Sequence, residues 1–429
     1  MANGFSKQET VAFEEISEGF EDALVLSKTV NQYKPDPILM SRSGDTIWRP
    51  QPYIAQSADY TPGSNITIPD NTQLSVPSSI GFAKVSSWKM NSTELVDALR
   101  EGSLGKAAQQ KLASDINKAI MDVACLQGSM VIKSTTAAAS ATFSDLSLAD
   151  SIMNEQGIPM GAANRFLALS SRVNNGIAND LGKASRSLDA AKSITAYEDA
   201  LIGRNVAGFT ALKLDYSKRL AAAAGGASIT IATTSTTNNH VPKATSTSVG
   251  GQINVDNRFQ SVVVSSTTSV AVGDCFTIAG VNAVHHITKE DTGSLKTFRV
   301  VEIVDGTHMK ITPPIISASS SPTDAEKQYQ NCKFVSTSGT AAIVWLNTVA
   351  AQVNPFWHKD SLEIFPGHSG IMDGVGVAVK RYTSPQGFVL SFEKWGDGLS
   401  DSVNYRMNVR FGVVNKNTEM NGILLFDQT

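Results

Sequence analysis

The side chains that could do covalent or metal chemistry are sparse in this sequence and badly grouped for it. His285 and His286 are the only adjacent histidines. Neighbours on an extended chain point to opposite faces, so both gripping one metal ion is not expected, and two loop histidines is the simpler reading. His308 follows Asp305-Gly306, but the serine of a hydrolytic triad would need a Gly-x-Ser-x-Gly elbow, and none occurs. Thr307-His308 therefore reads as part of a turn between strands. No Gly-x-x-x-x-Gly-Lys-Ser/Thr phosphate loop and no His-Glu-x-x-His zinc motif is present, and Gly374-Val-Gly376 lacks the third glycine of a dinucleotide fingerprint. Cys125, Cys275 and Cys332 are odd in number and far apart, which fits neither a disulfide framework nor a zinc site, so reduced thiols are expected. No catalytic, cofactor-binding or metal residue is assigned. An enzyme is not the expectation.

Carboxylates near the N-terminus offer a different chemistry. Phe13, Ile16, Phe20 and Leu24, with Val11, recur at three- and four-residue intervals, which predicts an amphipathic helix over 9–30 that Pro35 and Pro37 end. Glu14, Glu15, Glu18, Glu21 and Asp22 fill much of the remaining surface. The spacing i, i+1, i+4 sets Glu14 beside Glu18, with Glu15 adjacent. Such a cluster either receives a basic partner or is a solvated face whose apolar side docks on the same chain.

The elements that position these groups are mixed. Residues 41–90 read as extended chain broken by Pro52, Pro62, Pro69 and Pro77, with Ile66 and Ile68 alternating as in a hairpin strand. From Leu104 to Met130, the stripe Leu112, Ile116, Ile120, Val123 and Leu126 predicts a helix roughly 40 Å long. Thr135 to Ala141 is a Ser/Thr/Ala linker. A short helix follows, capped at Ser144 or Ser147 and stopped near Gly157-Ile158-Pro159; then come a buried strand at Phe166–Leu169 and a helix from Ser171.

Gly225-Gly226 opens a β-rich stretch. Ser/Thr-rich residues 229–247 carry little apolar pattern after Ile231 and read as a loop with a mobile tip. Short strands are predicted at Val262–Val264, Cys275–Ile278, Phe298–Val304 and Met309–Ile311, with turns at Gly273-Asp274 and Asp305-Gly306, a pattern suited to a small Greek-key barrel. Leu362–Phe365, Tyr405–Val413 and Gly422–Phe426 read as further strands.

Length and composition narrow the class. A chain of 429 residues predicts two or three folding units. Charged residues are 17% of the chain, below the roughly 25% of an average soluble domain, which suits a subunit covered by neighbours. A net charge of −3 argues against a strongly basic nucleic-acid surface. The start Met-Ala-Asn-Gly-Phe runs into acidic residues where a signal peptide is apolar, and no apolar run reaches the ~20 residues of a membrane helix. A cytoplasmic origin is expected, in which the sequons Asn65-Ile-Thr67 and Asn91-Ser-Thr93 would be inert.

Two phrases name a family. Ile253-Asn-Val-Asp-Asn-Arg-Phe259 and Val300-Val-Glu-Ile-Val-Asp-Gly-Thr-His-Met-Lys-Ile-Thr-Pro313, with Gly273-Asp274 and Ala279-Gly-Val281 between them, resemble the inserted domain of coat proteins from short-tailed phages of enteric bacteria. Thr46-Ile-Trp-Arg-Pro50, Asn205-Val-Ala-Gly-Phe209 and Asn354-Pro-Phe-Trp-His-Lys-Asp360 resemble other phrases of that family. The resemblance implies an α+β, Hong Kong 97-like capsid fold with an inserted Greek-key β-barrel. On that plan, 1–34 is an N-terminal arm and 35–90 the extended loop. Residues 91–134 hold the spine helix and peripheral domain, 135–224 the first part of the central domain, 225–340 the insertion, and 341–429 the return strands.

The implied function is a major capsid protein forming hexamers and pentamers of an icosahedral procapsid with scaffolding and portal proteins. The shell would expand on packaging and enclose double-stranded DNA without reading its sequence. Glu14, Glu15 and Glu18 resemble the family's cluster for the scaffold's basic domain. The insertion loop, about 235–252, is expected to reach a neighbouring capsomer. It holds His240 and Lys243 but no acid, so the family's salt bridge would need reversed charge or purely polar contacts. The alternative of the same fold is a bacterial nanocompartment shell, against which the insertion counts. A secreted β-module adhesin is disfavoured by the long helix.

Overall fold

The computed structural model describes residues 5, 7–34, 46–57, 61–63, 65, 68–91, 94, 98–161, 163–182, 205–214, 216–226, 228–232, 238–318, 321–335, 339–368, 370 and 376–429. Pro35, Pro37, Ile66, Thr67, Thr93 and Gly374, each named above, lie outside the described residues. Contacts divide the chain into two units, one of residues 1–47, 78–120 and 363–414, the other of 48–77, 121–362 and 415–429.

The first unit is built on a sheet whose strands run Asn31–Gln32, Leu362–Gly367, Ser402–Asn415, Val389–Asp397, Ala378–Thr383, with Phe82–Asn91 also paired to Ser402–Asn415. Met407, Val409 and Phe411 are buried along the long strand, as period-two alternation requires. Its other face is more covered than a half-buried strand implies, because Asn408 is buried and donates to Glu393 at 2.7 Å. Helix Lys7–Ala23 lays Phe13, Ile16 and Phe20 into this unit, with Phe13 stacked 5.4 Å from Phe392. Gly105 of helix Ala98–Gln127 makes room for it, since a Cβ there would sit 2.4 Å from Ile16 Cδ1.

Three expectations shift here. The N-terminal helix stops at Ala23 and is followed by a 3-10 turn at Leu26–Thr29, so it ends well before the prolines. Val11 is 55% exposed rather than part of the apolar face. The long helix covers Ala98–Gln127, and Met130 instead starts a strand.

In the second unit a mixed sheet runs Met130–Lys133, Asn421–Leu425, Ala351–His358, Arg165–Ser170, Phe209–Leu214, Asn205–Val206. Helices Phe143–Glu155 and Ser171–Gly182 bury Leu146, Met153, Val173 and Ile177 with its residues. The N-cap of the first helix is Thr142, in a reciprocal box with Asp145, rather than Ser144 or Ser147. Its stop at Gly157 is as read, with φ +78°.

Inserted between the strands of that sheet is a barrel with six strands in its path and a seventh, Cys332–Phe334, paired to Cys275–Val284. The order is Thr230–Ala232, Thr340–Trp345, Cys275–Val284, Asp291–Ile303, His308–Thr312, Gln260–Val263, and an Ile231–Val264 bridge returns the last strand to the first. Three consecutive strands lie beside one another with the preceding strand beside the third, which is a Greek key. Ile231, Val262, Phe276, Phe298, Ile311 and Ile343 fill the interior. The closing strand runs on to Trp345, past the boundary at 340 read from sequence, because Trp345 pairs with Phe276.

Residues 229–247 are not all loop: Thr245–Ser248 pairs with Gly251–Asn254 as a separate hairpin. Ile68, expected in a hairpin strand, lies in none and is 85% exposed; among the described residues of 41–90 the strands are Thr46–Pro50, Ser75–Ser79 and most of Phe82–Asn91.

Candidate assembly surfaces

Burial of Phe13, Ile16 and Phe20 turns Glu14, Glu15 and Glu18 outward together. Glu14 reaches the half-buried Lys380 at 3.9 Å and Glu15 reaches the exposed Lys106 at 3.5 Å, long contacts of exposed carboxylates that add little stability. Glu21 is half-buried and accepts from the Tyr382 hydroxyl at 3.4 Å, so it stands apart from the outward cluster. Glu9 is different again. It is 7% exposed, ion-paired with Lys394, and accepts from the Tyr405 hydroxyl at 3.1 Å, anchoring the start of the helix.

The hairpin of the insertion carries the second set. Val249 at its turn and Ile253 on its return strand are exposed. Its base is tied by Asn257, which is 4% exposed: Oδ1 accepts from Lys243 N at 3.1 Å and Nδ2 donates to Lys243 O at 2.8 Å. His240 Nε2 lies 3.1 Å from the same Oδ1, and burial lowers that imidazole from its ordinary pKa. The structure thus separates two residues that sequence placed together. Lys243 presents an exposed side chain, while His240 is part of the hairpin's footing.

The other residues singled out for their chemistry lie in the core, in turns or in a loop. Cys125, Cys275 and Cys332 are free and buried, and burial pushes their thiols up to about 12, 11 and 12. Asp305 Oδ1 accepts from Thr307 N at 2.8 Å, His308 N at 2.7 Å and lies 2.9 Å from His308 Nδ1, fixing the turn that holds His308. His285 and His286 follow strand Cys275–Val284 in a loop. Among the described residues no group of His, Cys, Asp and Glu is arranged to hold a metal ion, and no helix is long and apolar enough to cross a membrane.

Sequence reasoning missed a set of buried charges. Lys296, Arg299 and Arg165 are at most 1% exposed. Arg165 pairs with Asp150 at 2.5 Å and donates to Ile158 O at 2.6 Å; Lys296 pairs with Glu419 at 2.6 Å. A basic residue inside an apolar run such as Leu295–Val301 was the available signal.

The family model described as P22 coat protein, gene protein 5, matches residues 1–427. Among solved structures, the chain is similar to the CUS-3 coat protein I-domain, at 36% identity over 29% of this chain and 98% of that one, TM-score 0.22. It is also similar to a Mycobacterium phage Che8 structure, at 10% identity, 94% and 90% coverage and TM-score 0.44. The head structure of Helicobacter pylori bacteriophage KHP40 gives 7%, 94% and 88%, and TM-score 0.43. The family model that matches is one of a phage coat protein. The fold is α+β and Hong Kong 97-like, carrying the barrel traced above. Matched over nearly its whole length, the chain belongs to the P22 coat protein family and is a phage major capsid protein, a structural component of the virion shell.

Proposed function

We propose that this subunit builds the icosahedral procapsid of a short-tailed double-stranded DNA phage in the host cytoplasm, in concert with a scaffolding protein and a portal, and that the shell expands as DNA is packaged. The observation that carries the scaffold reading is the outward acidic face of helix Lys7–Ala23. Phe13, Ile16 and Phe20 already satisfy the helix's apolar side, so Glu14, Glu15 and Glu18 are available to a basic partner.

Each exposed ion pair contributes only ~0.2–1 kcal/mol. Affinity then comes from repetition over many copies in a closed shell, and the scaffold can leave before DNA enters. Changing Glu14, Glu15 and Glu18 together to Lys is expected to give a folded subunit that no longer co-assembles with scaffold. Glu21→Gln, which keeps an acceptor for Tyr382, is expected to be mild. Scaffold-filled procapsids from the triple variant at low salt would refute the assignment.

The inserted hairpin is the proposed contact to a neighbouring capsomer. Its reach rests on Lys243, Val249 and Ile253, because His240 is engaged by Asn257.

A further inference from the structure

The inserted barrel joins the central sheet along a seam that is polar and buried. Thr297 Oγ1 donates to Ser129 O at 2.6 Å and accepts from Val131 N at 3.2 Å, and Arg299 Nη1 donates to Gly128 O at 3.3 Å. His286 N donates to Gln156 O at 3.1 Å, and a Cβ on Gly157 would lie 2.6 Å from the His285 ring.

Glu419 sits where these lines converge. Its Oε1 takes Lys296 Nζ at 2.6 Å and Asn331 Nδ2 at 3.0 Å, and its Oε2 lies 3.9 Å from His286 Nδ1. The Lys296 side chain is 1% exposed and that of Glu419 17%. Other titratable or charged groups face the cluster. Lys289, on the His285–Glu290 loop, donates to Gln330 O at 3.1 Å; the Cys332 thiol borders Lys296 and Glu419; Arg258 is paired to Asp256 at 2.7 Å. A cavity of about 270 Å³ reaches His286, Glu419 and Arg258, giving water a route to the seam. It is also lined by Tyr53, Ile54 and Leu74 of the extended segment, which the Tyr329 hydroxyl holds through Thr72 O at 2.7 Å.

We propose that Glu419 is the positioning residue that holds the inserted barrel in one orientation on the central fold for shell building, and that protonation at this seam releases it. The shell-building role rests on the reading above; the seam itself can be tested on the free subunit.

A buried ammonium such as Lys296 needs its counter-charge, since removing one partner leaves an uncompensated charge in a poorly solvated place. The sign of the pH effect follows from the two titrating neighbours. Burial, reinforced by Lys296, Lys289 and His285 against the pull of Glu419, holds His286 down at about 4 from an ordinary value of 6.5. An opened seam therefore binds that proton between those values while the closed seam does not, so docking is at full strength above 6.5 and weakens as pH falls toward 4. For Glu419, burial acts upward but is outweighed by Lys296, His286 and the Lys296 and Asn331 hydrogen bonds, leaving the carboxyl below its usual range. Its contribution is likewise lost in acid. Lys289, drawn down to about 8 by burial, titrates above this window.

Hydrogen exchange of the full-length subunit at pH 7 and pH 5, corrected for intrinsic rates, tests this. Peptides covering 129–133, with Val131 N held by Thr297 Oγ1, and 285–288, with His286 N held by Gln156 O, report the seam, and those covering 260–264 and 308–312 report the barrel interior. Seam protection is expected to fall on the order of thirtyfold at pH 5 from His286 alone, with the interior unchanged. His286→Gln should keep protection at pH 7 and cut that fall to below about threefold, because glutamine does not titrate. Glu419→Gln should lose at least about tenfold at pH 7 at the seam, and Lys296→Met/Glu419→Leu should restore it by leaving no charge unpaired.

Full seam protection in Glu419→Gln would overturn the proposal, as would an undiminished acid loss in His286→Gln or equal acid loss in the barrel interior. If Glu419→Gln unfolds throughout, the double variant decides, and no restoration there overturns it. None of these readouts requires a shell, so failure of the scaffold assignment would leave them unchanged.

Discussion

Asn257 shows how much of a loop's conformation one buried amide can decide. Its four hydrogen-bonding directions are spent on Lys243 N, Lys243 O, Val255 O and the His240 ring, which clamp the chain entering the hairpin to the chain leaving it. Asn257→Ala would leave these buried groups without their partner. The expected cost is roughly 1–3 kcal/mol, read as a lower thermal midpoint with the barrel fold retained. Burial holds the His240 imidazole down and the Asn257 hydrogen bond works against it, so losing that bond should lower the imidazole further, as read by NMR titration. An unchanged midpoint and titration would show that Asn257 has no such role. The phrase around Asn257 was read from sequence as a family marker, but its physical task needed the fold. Its partners Lys243 and His240 lie fourteen and seventeen positions back, beyond the reach of a local turn motif.

At the scale of elements, the insertion and its hairpin behave differently. The barrel closes on its own core of Ile231, Val262, Phe276, Phe298, Met309 and Ile343, and no strand in the six-strand path is borrowed from the central sheet. A fragment of residues 225–346 is expected to melt cooperatively and give dispersed amide spectra; a disordered fragment would refute this autonomy. Lys296, buried against Glu419 in the whole chain, would face solvent in the fragment, where a lysine is at little cost.

The hairpin Thr245–Asn254 is by contrast a lone two-stranded ribbon, which gains little stability by itself. Replacing it with two glycines should weaken procapsids while leaving the subunit's midpoint within about 0.5 kcal/mol equivalent. Normal particle stability would count against a contact there. The cut must spare Asn238, which is 1% exposed and accepts from Gln260 and Val263 inside the barrel. Four of the six strands in the barrel's path were legible as short β-branched and aromatic runs between turns, while Thr230–Ala232 and Thr340–Trp345 were not. The ribbon was not, because Thr-Ser-Thr-Ser has no apolar face, and only Val249-Gly-Gly251 hinted at its turn.

For the whole molecule the function is association, and the acidic helix is where salt should show it. Exposed charges are screened over ~10 Å at 0.1 M, so co-assembly with scaffold is expected to decline steadily between low and moderate salt. The Glu14/Glu15/Glu18→Lys variant should show no co-assembly at any salt, and salt-independent binding by the unaltered subunit would point to an apolar contact instead.

Sequence alone determined a good deal here. The three- and four-residue rhythm of Phe13, Ile16 and Phe20 set which side of the N-terminal helix turns inward, leaving Glu14, Glu15 and Glu18 outward. The stripe through Leu112, Ile116 and Ile120 set the long helix, and short β-branched and aromatic runs set four of the barrel strands. These are local patterns, fixed by backbone periodicity and the burial of apolar area. Tertiary structure decided the rest. It ended the first helix at Ala23, folded His240 inward and Lys243 outward, and joined Lys296 to Glu419 across 123 positions. The energy of a buried charge depends on what lies opposite it, and that partner is chosen by the path of the chain rather than by its neighbours in sequence.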